Sequence, residues 1–195
     1  MRIPLEKVIF LDRDGVINQD STEYVKSWDE FHFIPGSLEA LRLMNENGFC
    51  VIVITNQSAV GRGMITMKTL MNMHAKMREE VQKAGGKIHD IFFCPHRPDE
   101  NCDCRKPEPG LIFQAKEEYG VVLPKAIMVG DNGKDVQVGK NAGVGKTVLV
   151  MTGCGATAQN ELMKNGTPPD YVAEDLLDAV KWIIDEREKW IFADE

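Results

Sequence analysis

Short apolar runs rich in β-branched residues alternate along this chain with longer stretches of helical period. The runs predicted to be strands cover residues 8–11, 51–54, 91–93, 126–129 and 147–150. Between them, apolar residues recur three and four positions apart, and Pro-Gly or Gly-Gly pairs separate the segments. Parallel strands need a long crossover connection, usually a helix, so the alternation predicts βαβ units. We therefore expect an α/β fold, a doubly wound (Rossmann-like) parallel sheet.

Several helices carry start signals. Ser37 is the predicted N-cap of the first helix and Thr66 that of the second, and the tail from Glu174 to Trp190 has a helical pattern. The second helix has one apolar stripe, on which the methionines at 67, 71 and 77 are expected to fill the core. His74 lies on the same stripe and is interpreted as a buried core histidine, because a lone histidine there is seldom a ligand.

Length and charge restrict the class of protein. The 195 residues suffice for one core, so residues 1–195 are expected to form a single domain. The net charge of -7 argues against a broad surface for nucleic acid or anionic membrane, although a local basic pocket can still hold a small anion. The sequence shows no secretory signal and no long apolar span, so we expect a cytoplasmic protein. We also expect a monomer.

Polar residues fall at the ends of the predicted strands. Asp12, Thr55, Cys94 and Asp131 each come at the carboxyl end of a strand or just after it. Open parallel sheets bind ligands at that edge, so residues distant in the chain are expected to meet in one crevice.

The acidic residues in this set predict a magnesium site. Asp12 and Asp14 lie two apart beside Gly15, which permits a sharp turn, and Asp131 follows another strand with Asp135 behind it. Clustered carboxylates repel one another, and Mg²⁺ offsets that repulsion because it prefers oxygen ligands and commonly binds carboxylates together with phosphate.

Groups able to bind a phosphate are also present. The Thr55-Asn56-Gln57-Ser58 segment offers hydroxyl and backbone N–H donors, Lys106 offers a point charge, and Arg105 offers a fork of donors. The combination of acids and phosphate donors predicts phosphate chemistry at the sheet edge.

Four further residues have the spacing of a zinc site. Cys94, His96, Cys102 and Cys104 form a C-x-H-x₅-C-x-C pattern, a complete tetrahedral set that leaves no vacant position. We therefore expect a structural Zn²⁺ that orders the loop 94–104 and presents Arg105 and Lys106 directly after it.

Four motifs together resemble the haloacid dehalogenase superfamily of phosphotransferases: FLDRDG, the TN of TNQS, the lysine of CRKP, and GDNGKD. More narrowly, the segment from about Val8 to Gly153 is similar to the D-glycero-D-manno-heptose 1,7-bisphosphate phosphatases. The resemblance implies a phosphatase in nucleotide-heptose biosynthesis that acts on the C7 phosphate of a small phosphorylated sugar. The histidinol-phosphate phosphatases have a similar cysteine loop and remain the alternative substrate class.

The resemblance also implies roles for individual residues. Asp12 would be the nucleophile, transiently phosphorylated, and Asp14 the general acid and base. Mg²⁺ would be held by Asp12, the backbone carbonyl of Asp14, and Asp131. The turn ending at Asp20, together with Arg105, would contact the sugar or its distal phosphate. The full predicted substrate-binding set is Asp12, Asp14, Asp20, Thr55, Asn56, Gln57, Ser58, Arg105 and Lys106.

Two rival interpretations come from other classes. A phospho-accepting receiver-like signalling domain also combines an acidic pair with Thr and Lys, but the predicted strand ending at Ile54 delivers Thr55 where an aspartate would be needed. A non-catalytic zinc-stabilised binding module would explain the cysteines alone. Phosphate release that depends on magnesium separates both from an enzyme.

Overall fold

Within the described part of the chain, six parallel strands form one sheet. The computed structural model describes residues 5–191, with side chains described through residue 186. The strands are β1 (Val8–Leu11), β2 (Cys50–Asn56), β3 (Asp90–Cys94), β4 (Ile127–Gly130), β5 (Lys146–Val150) and β6 (Tyr171–Ala173). They lie in the order β3-β2-β1-β4-β5-β6, and each neighbouring pair is parallel. The doubly wound α/β fold expected from the sequence is thereby confirmed.

Helices cover both faces of this sheet. They are α1 (Ser37–Glu46), α2 (Met67–Lys83), α3 (Gly110–Tyr119), α4 (Gly133–Ala142), α5 (Gly155–Lys164) and α6 (Leu176–Ile191). Residues of α1, α2 and α6 pack in one core, while those of α3 and α4 pack in a second core on the opposite face. No helix within residues 5–191 is both long and apolar enough to cross a membrane.

The central strand shows why the sequence contains continuous apolar runs. Every residue of β1 is buried. Ile9 and Leu11 join the core that contains α1, α2 and α6, whereas Val8 and Phe10 join the other core. Because successive side chains of a strand point to opposite faces, a strand covered on both sides must be apolar at each position.

The order of the strands creates a switch point. Strand β1 pairs with β2 on one side and with β4 on the other, although β4 comes much later in the chain. The chain therefore leaves β1 and β4 toward opposite edges of the sheet, and a crevice opens at their carboxyl ends. Asp12 and Asp131 directly follow these two strands.

The structure corrects two predictions, the end of the sheet and the N-cap of the first helix. The run at residues 147–150 is the last strand that the sequence predicts, whereas α5 and the edge strand β6 follow β5 in the structure. With only three residues, β6 is too short to give a periodic signal. The N-cap of α1 is Gly36 at φ 84°, and Ser37 is instead the first helical residue.

The buried stripe of α2 is displaced from the predicted one. Met67 and Met71 are exposed, whereas Met73 is buried alongside Met77 and His74. Around the helix axis, Met67 and Met71 lie on one side of Leu70 and His74, whereas Met73 and Met77 lie on the other. Helical spacing alone is therefore compatible with burial of either pair. Thr66 is the N-cap, as predicted, and its hydroxyl accepts a hydrogen bond from the backbone N–H of Thr69.

Candidate active site

Three carboxylates converge at the switch point. Asp12 and Asp131 follow β1 and β4, and Asp135 lies in the first turn of α4. Each offers an oxygen, and these oxygens all lie within 4.8 Å of one another. Burial, reinforced by the neighbouring carboxylates, raises the pKa of Asp12 to about 7 and that of Asp131 to about 8. Ionisation of all three carboxylates is therefore costly, and a bound cation would lower that cost.

Lys106 supplies one positive charge to this cluster. Its Nζ lies 2.9 Å from Oδ1 of Asp12 and 2.6 Å from Oδ1 of Asp135, and the side chain is only 3% exposed. Burial alone would lower the pKa of Lys106, but the two carboxylates raise it above its ordinary value. One lysine does not balance three acids, so the arrangement favours an additional cation of high charge.

The backbone of Lys106 is fixed by the end of β2. The Asn56 side-chain amide donates to the carbonyl of Lys106 at 3.2 Å and its Oδ1 accepts from the Lys106 N–H at 3.1 Å. Asn56, predicted to bind substrate, has its amide engaged in this way.

Asp131 is enclosed by two glycines. A Cβ on Gly15 or on Gly153 would collide with the Asp131 carboxylate, and both residues have positive φ, at 79° and 56°. The backbone N–H of Cys154 donates to Oδ2 of Asp131 at 2.7 Å. Only glycine leaves room for this carboxylate, so the loops after β1 and β5 together fix its position.

Asp14 lies apart from the three clustered carboxylates. Its Oδ1 accepts hydrogen bonds from Nε and Nη2 of Arg13 at 3.2 and 2.8 Å and from Nδ2 of Asn18 at 2.9 Å, and its Oδ2 accepts from Nε2 of Gln57 at 2.7 Å. Burial would raise the pKa of Asp14, but Arg13 and these donors hold it below its ordinary value.

The remaining predicted residues surround this centre at different depths. Thr55 and Ser58 are buried, and Oγ1 of Thr55 accepts from Nε2 of Gln57 at 3.1 Å. Arg105 donates to the carbonyl of His96 at 3.2 Å and lines, together with Lys106, a cavity of about 540 Å³. Asp20 is exposed at the outer end of the loop after β1, where its carboxylate accepts from the N–H of Ser21.

The sequence does not define a role for Asp135, and the structure gives it two contacts. Besides the ion pair with Lys106, its Oδ2 accepts from the N–H of Asn132 at 3.0 Å, while the Asn132 side chain accepts from Lys134. This is a capping box at the start of α4. An Asn followed three residues later by Asp could have indicated that cap, but not the ion pair across the site.

The predicted zinc ligands also converge. Nδ1 of His96 lies 3.6 Å from the sulfur of Cys94 and 3.3 Å from that of Cys104, and the sulfur of Cys102 lies 3.5 and 3.4 Å from those two sulfurs. Thiolates bound tetrahedrally at about 2.3 Å from one ion are about 3.8 Å apart, so the set is close to the geometry that zinc requires. The four residues can hold a zinc ion.

Known proteins resemble this chain over most of its length. The HAD-hydrolase-like family model matches residues 103–179. Over 180 residues the chain is 41% identical to the D-glycero-beta-D-manno-heptose-1,7-bisphosphate 7-phosphatase of Neisseria meningitidis serogroup A, covering 92% of this chain and 96% of that one. The enzyme of the same name from Pseudomonas aeruginosa is 43% identical over 160 residues, which cover 82% of this chain and 89% of the relative.

A solved structure is similar over nearly the same range. The crystal structure of D,D-heptose 1,7-bisphosphate phosphatase from B. bronchiseptica, complexed with magnesium and phosphate, superposes with a TM-score of 0.86 at 40% identity. The match covers 92% of this chain and 99% of that one. That protein therefore holds a magnesium ion and a phosphate on the same fold.

Proposed function

Since this chain belongs to the haloacid dehalogenase-like hydrolases, in the family of heptose 1,7-bisphosphate 7-phosphatases, we propose that it hydrolyses the C7 phosphate of D-glycero-D-manno-heptose 1,7-bisphosphate. The reaction would serve nucleotide-heptose biosynthesis. The observation that carries the proposal is the convergence of Asp12, Asp131, Asp135 and Lys106 at the switch point.

Asp12 is the proposed nucleophile. A carboxylate oxygen of Asp12 forms a bond to phosphorus while the bond from phosphorus to the C7 oxygen breaks in line with it. Lys106 lies beside Asp12 and is placed to offset charge on the equatorial phosphoryl oxygens. Thr55, at the end of the neighbouring strand β2, offers a hydroxyl to the same oxygens.

Asp14 is the proposed general acid and base. Because the pKa of Asp14 is lowered, the acid is its minor protonated form at neutral pH. In that form it donates a proton to the departing C7 alkoxide, and it then takes a proton from the water that attacks the phosphorus of the aspartyl phosphate. Hydrolysis releases inorganic phosphate and restores the Asp12 carboxylate. The hydrogen bonds from Arg13, Asn18 and Gln57 fix the Asp14 carboxyl for both transfers.

The acidic cluster fits magnesium. Its donors are carboxylate oxygens within reach of one another, and burial, followed by repulsion from neighbouring carboxylates, raises the pKa of Asp12 and of Asp131. Asp12 and Asp131 would hold the ion together with the backbone carbonyl of Asp14, and Asp135 adjoins them. When bound, Mg²⁺ supplies positive charge that lowers the repulsion between Asp12 and the phosphoryl oxygens.

The cavity beside Lys106 is the proposed sugar and distal phosphate region. Arg105 and Lys106 line it, and Lys134 adds a third basic side chain. Asp103 and Glu108 belong to the same lining. Ser58 and Gln57, after β2, and the loop ending at Asp20 would complete the contacts with the substrate.

Zinc would have a structural role. Four protein ligands fill a tetrahedral shell and leave no position for substrate. Cys94 ends β3 and Cys104 immediately precedes Arg105 and Lys106, so an ion bound here ties the loop that carries Lys106 to the sheet.

The test compares kcat/KM for both anomers of heptose 1,7-bisphosphate, for histidinol phosphate and for p-nitrophenyl phosphate, with Mg²⁺ and with EDTA. We expect magnesium-dependent phosphate release with a preference for a heptose bisphosphate. A preference for histidinol phosphate would overturn the proposed substrate, and the absence of magnesium-dependent release from every ester would overturn the proposed enzyme.

A further inference from the structure

A fully buried arginine stands between the two acids of the proposed mechanism in the sequence. Arg13 is 1% exposed, and its Nε and Nη2 both donate to Oδ1 of Asp14. Its Nη1 lies 3.3 Å from Nε2 of His74, and its guanidinium lies 5.8 Å from the centroid of the Phe31 ring. A buried guanidinium needs a partner for each polar edge, and here one edge is directed to Asp14 and another to His74.

His74 reaches Arg13 from helix α2. Its side chain is buried, and its ring packs edge-on against Phe93 with 5.6 Å between centroids. Burial and, after it, the charge of Arg13 lower the pKa of His74 to about 3, so the imidazole is neutral at physiological pH. Because a guanidinium can only donate, Nε2 of His74 must be the accepting nitrogen and the ring proton must lie on Nδ1.

The two oxygens of Asp14 have different surroundings. Oδ1 accepts hydrogen bonds from Nε and Nη2 of Arg13 and from Nδ2 of Asn18, so its capacity to accept further hydrogen bonds is filled. Oδ2 receives Nε2 of Gln57, a group that also lies 3.1 Å from the Thr55 hydroxyl at the end of β2. Oδ1 is therefore the anchored oxygen, while Oδ2 lies on the side of the residues placed to bind phosphate.

We propose that His74 is a positioning residue for proton transfer: acting through Arg13, it orients the Asp14 carboxyl so that Oδ2 meets the leaving oxygen. The inference rests on the role of Asp14 given under the proposed function. It assigns a part in the reaction to a helix on one face of the sheet that lies outside the crevice itself.

If His74 had a purely structural role, its replacement would affect the kinetics differently. The choice of leaving group distinguishes a structural role from a positioning role. An alkoxide departs only with a proton, so hydrolysis of a sugar phosphate depends on a well-oriented acid. The p-nitrophenolate ion departs without one. Damage to folding or to magnesium binding lowers both rates together, whereas misorientation of Asp14 lowers mainly the first.

The matched variants are His74→Met and His74→Gln, which place unbranched side chains of similar length in the same space. Gln retains an acceptor near the position of Nε2, and Met does not. For His74→Met we expect kcat/KM to fall about 10- to 100-fold for heptose 1,7-bisphosphate and less than about threefold for p-nitrophenyl phosphate. For His74→Gln we expect both values to stay within about threefold of wild type. Phenyl phosphate should give an intermediate loss in the Met variant, which makes the test independent of the sugar.

Asp14→Asn serves as the benchmark for the acid. If the loss of activity in Asp14→Asn does not depend on the leaving group, the role of Asp14 in the proposed function is overturned. If Asp14→Asn shows this dependence and His74→Met loses both activities equally, or none, the inference about His74 is overturned while the proposed function stands. Failure of His74→Gln to restore sugar phosphate hydrolysis also overturns it.

Circular dichroism and thermal unfolding establish that each variant is folded. If His74→Met does not fold, Arg13→Lys replaces it in the series. It keeps the charge but loses the fork, so it should show the same selective loss on poor leaving groups. An equal loss on p-nitrophenyl phosphate in folded Arg13→Lys protein would overturn the inference.

Discussion

Nζ of Lys106 lies 2.9 Å from Oδ1 of Asp12, so a lysine carried by the cysteine loop is paired with the first residue after the central strand. The pair is largely shielded from water, and the charge of Lys106 lowers the free energy of the ionised Asp12 carboxylate against burial and two neighbouring acids. Removal of the Lys106 charge should therefore lower both the stability and the activity of the protein.

For Lys106→Met we expect loss of phosphatase activity and, without Mg²⁺, a decrease in the free energy of unfolding of about 3 kcal/mol, because buried carboxylates lose their partner. Urea unfolding at pH 8 measures it. The control is Lys125→Met, whose exposed ion pair with Glu6 should contribute less than about 1 kcal/mol. Equal effects of the two variants would contradict the assignment.

Replacement of Asp12 and replacement of Asp14 should block different steps of the reaction. Asp12→Asn is expected to abolish turnover and to give no phosphoenzyme, because the attacking carboxylate is gone. Asp14→Asn should accumulate a slowly decaying phosphoenzyme with a good leaving group, because the base for its hydrolysis is gone. Acid quenching with ³²P-labelled substrate distinguishes the two. Steady turnover by pure Asp12→Asn protein would exclude Asp12 as nucleophile.

Gly153 should be irreplaceable because of Asp131. In Gly153→Ala the new Cβ would collide with the Asp131 carboxylate, so we expect weaker Mg²⁺ binding and loss of activity. Gly166→Ala is the control, since Gly166 has a similar positive φ of 67° but a Cβ added there would meet no described atom within 4 Å. Both should lose about 1 kcal/mol of stability from the backbone. Calorimetric titration with Mg²⁺ measures the difference, and equal affinities in both variants would contradict it.

The cysteine loop should hold one tightly bound metal ion. We expect close to one zinc per chain after exhaustive dialysis, measured by elemental analysis. Cys102→Ser should lose the zinc and the thermal stability that accompanies it, whereas Cys50→Ser, a change outside the cluster, should retain both. Well-folded, active wild-type protein without zinc would remove the assignment.

Protonation of His74 predicts how stability depends on pH. Its pKa falls from 6.5 in the unfolded chain to about 3 in the folded protein, so the unfolded state binds the proton more tightly. The contribution is fully present above pH 6.5 and is lost as the pH falls toward 3. Between pH 7 and pH 5 the wild type should lose about 2 kcal/mol more stability than His74→Gln, which has no group to protonate. Urea titrations of both proteins at the two pH values measure it, and identical losses would contradict the buried neutral state.

The sequence by itself determined the strands that matter most and the side chains at their ends. Strand β1 has the predicted bounds, and β2 to β5 differ from prediction by a few residues at most. Buried strands must be apolar throughout, so a polar residue such as Asp12 or Asp131 at the end of such a run is visible in the sequence. The proposed zinc ligands were visible for a similar reason, because their spacing is local.

Only the tertiary structure decided which of these groups touch. The sequence places Asp135 four residues after Asp131 and gives no sign of a partner. In the structure Asp135 forms an ion pair with Lys106 across the site. His74 was correctly placed in the core, but its contact with Arg13 joins residues that are distant in the chain. The physical reason is that apolar periodicity fixes which face of an element is buried, whereas partners across the sheet depend on strand order and on helix packing.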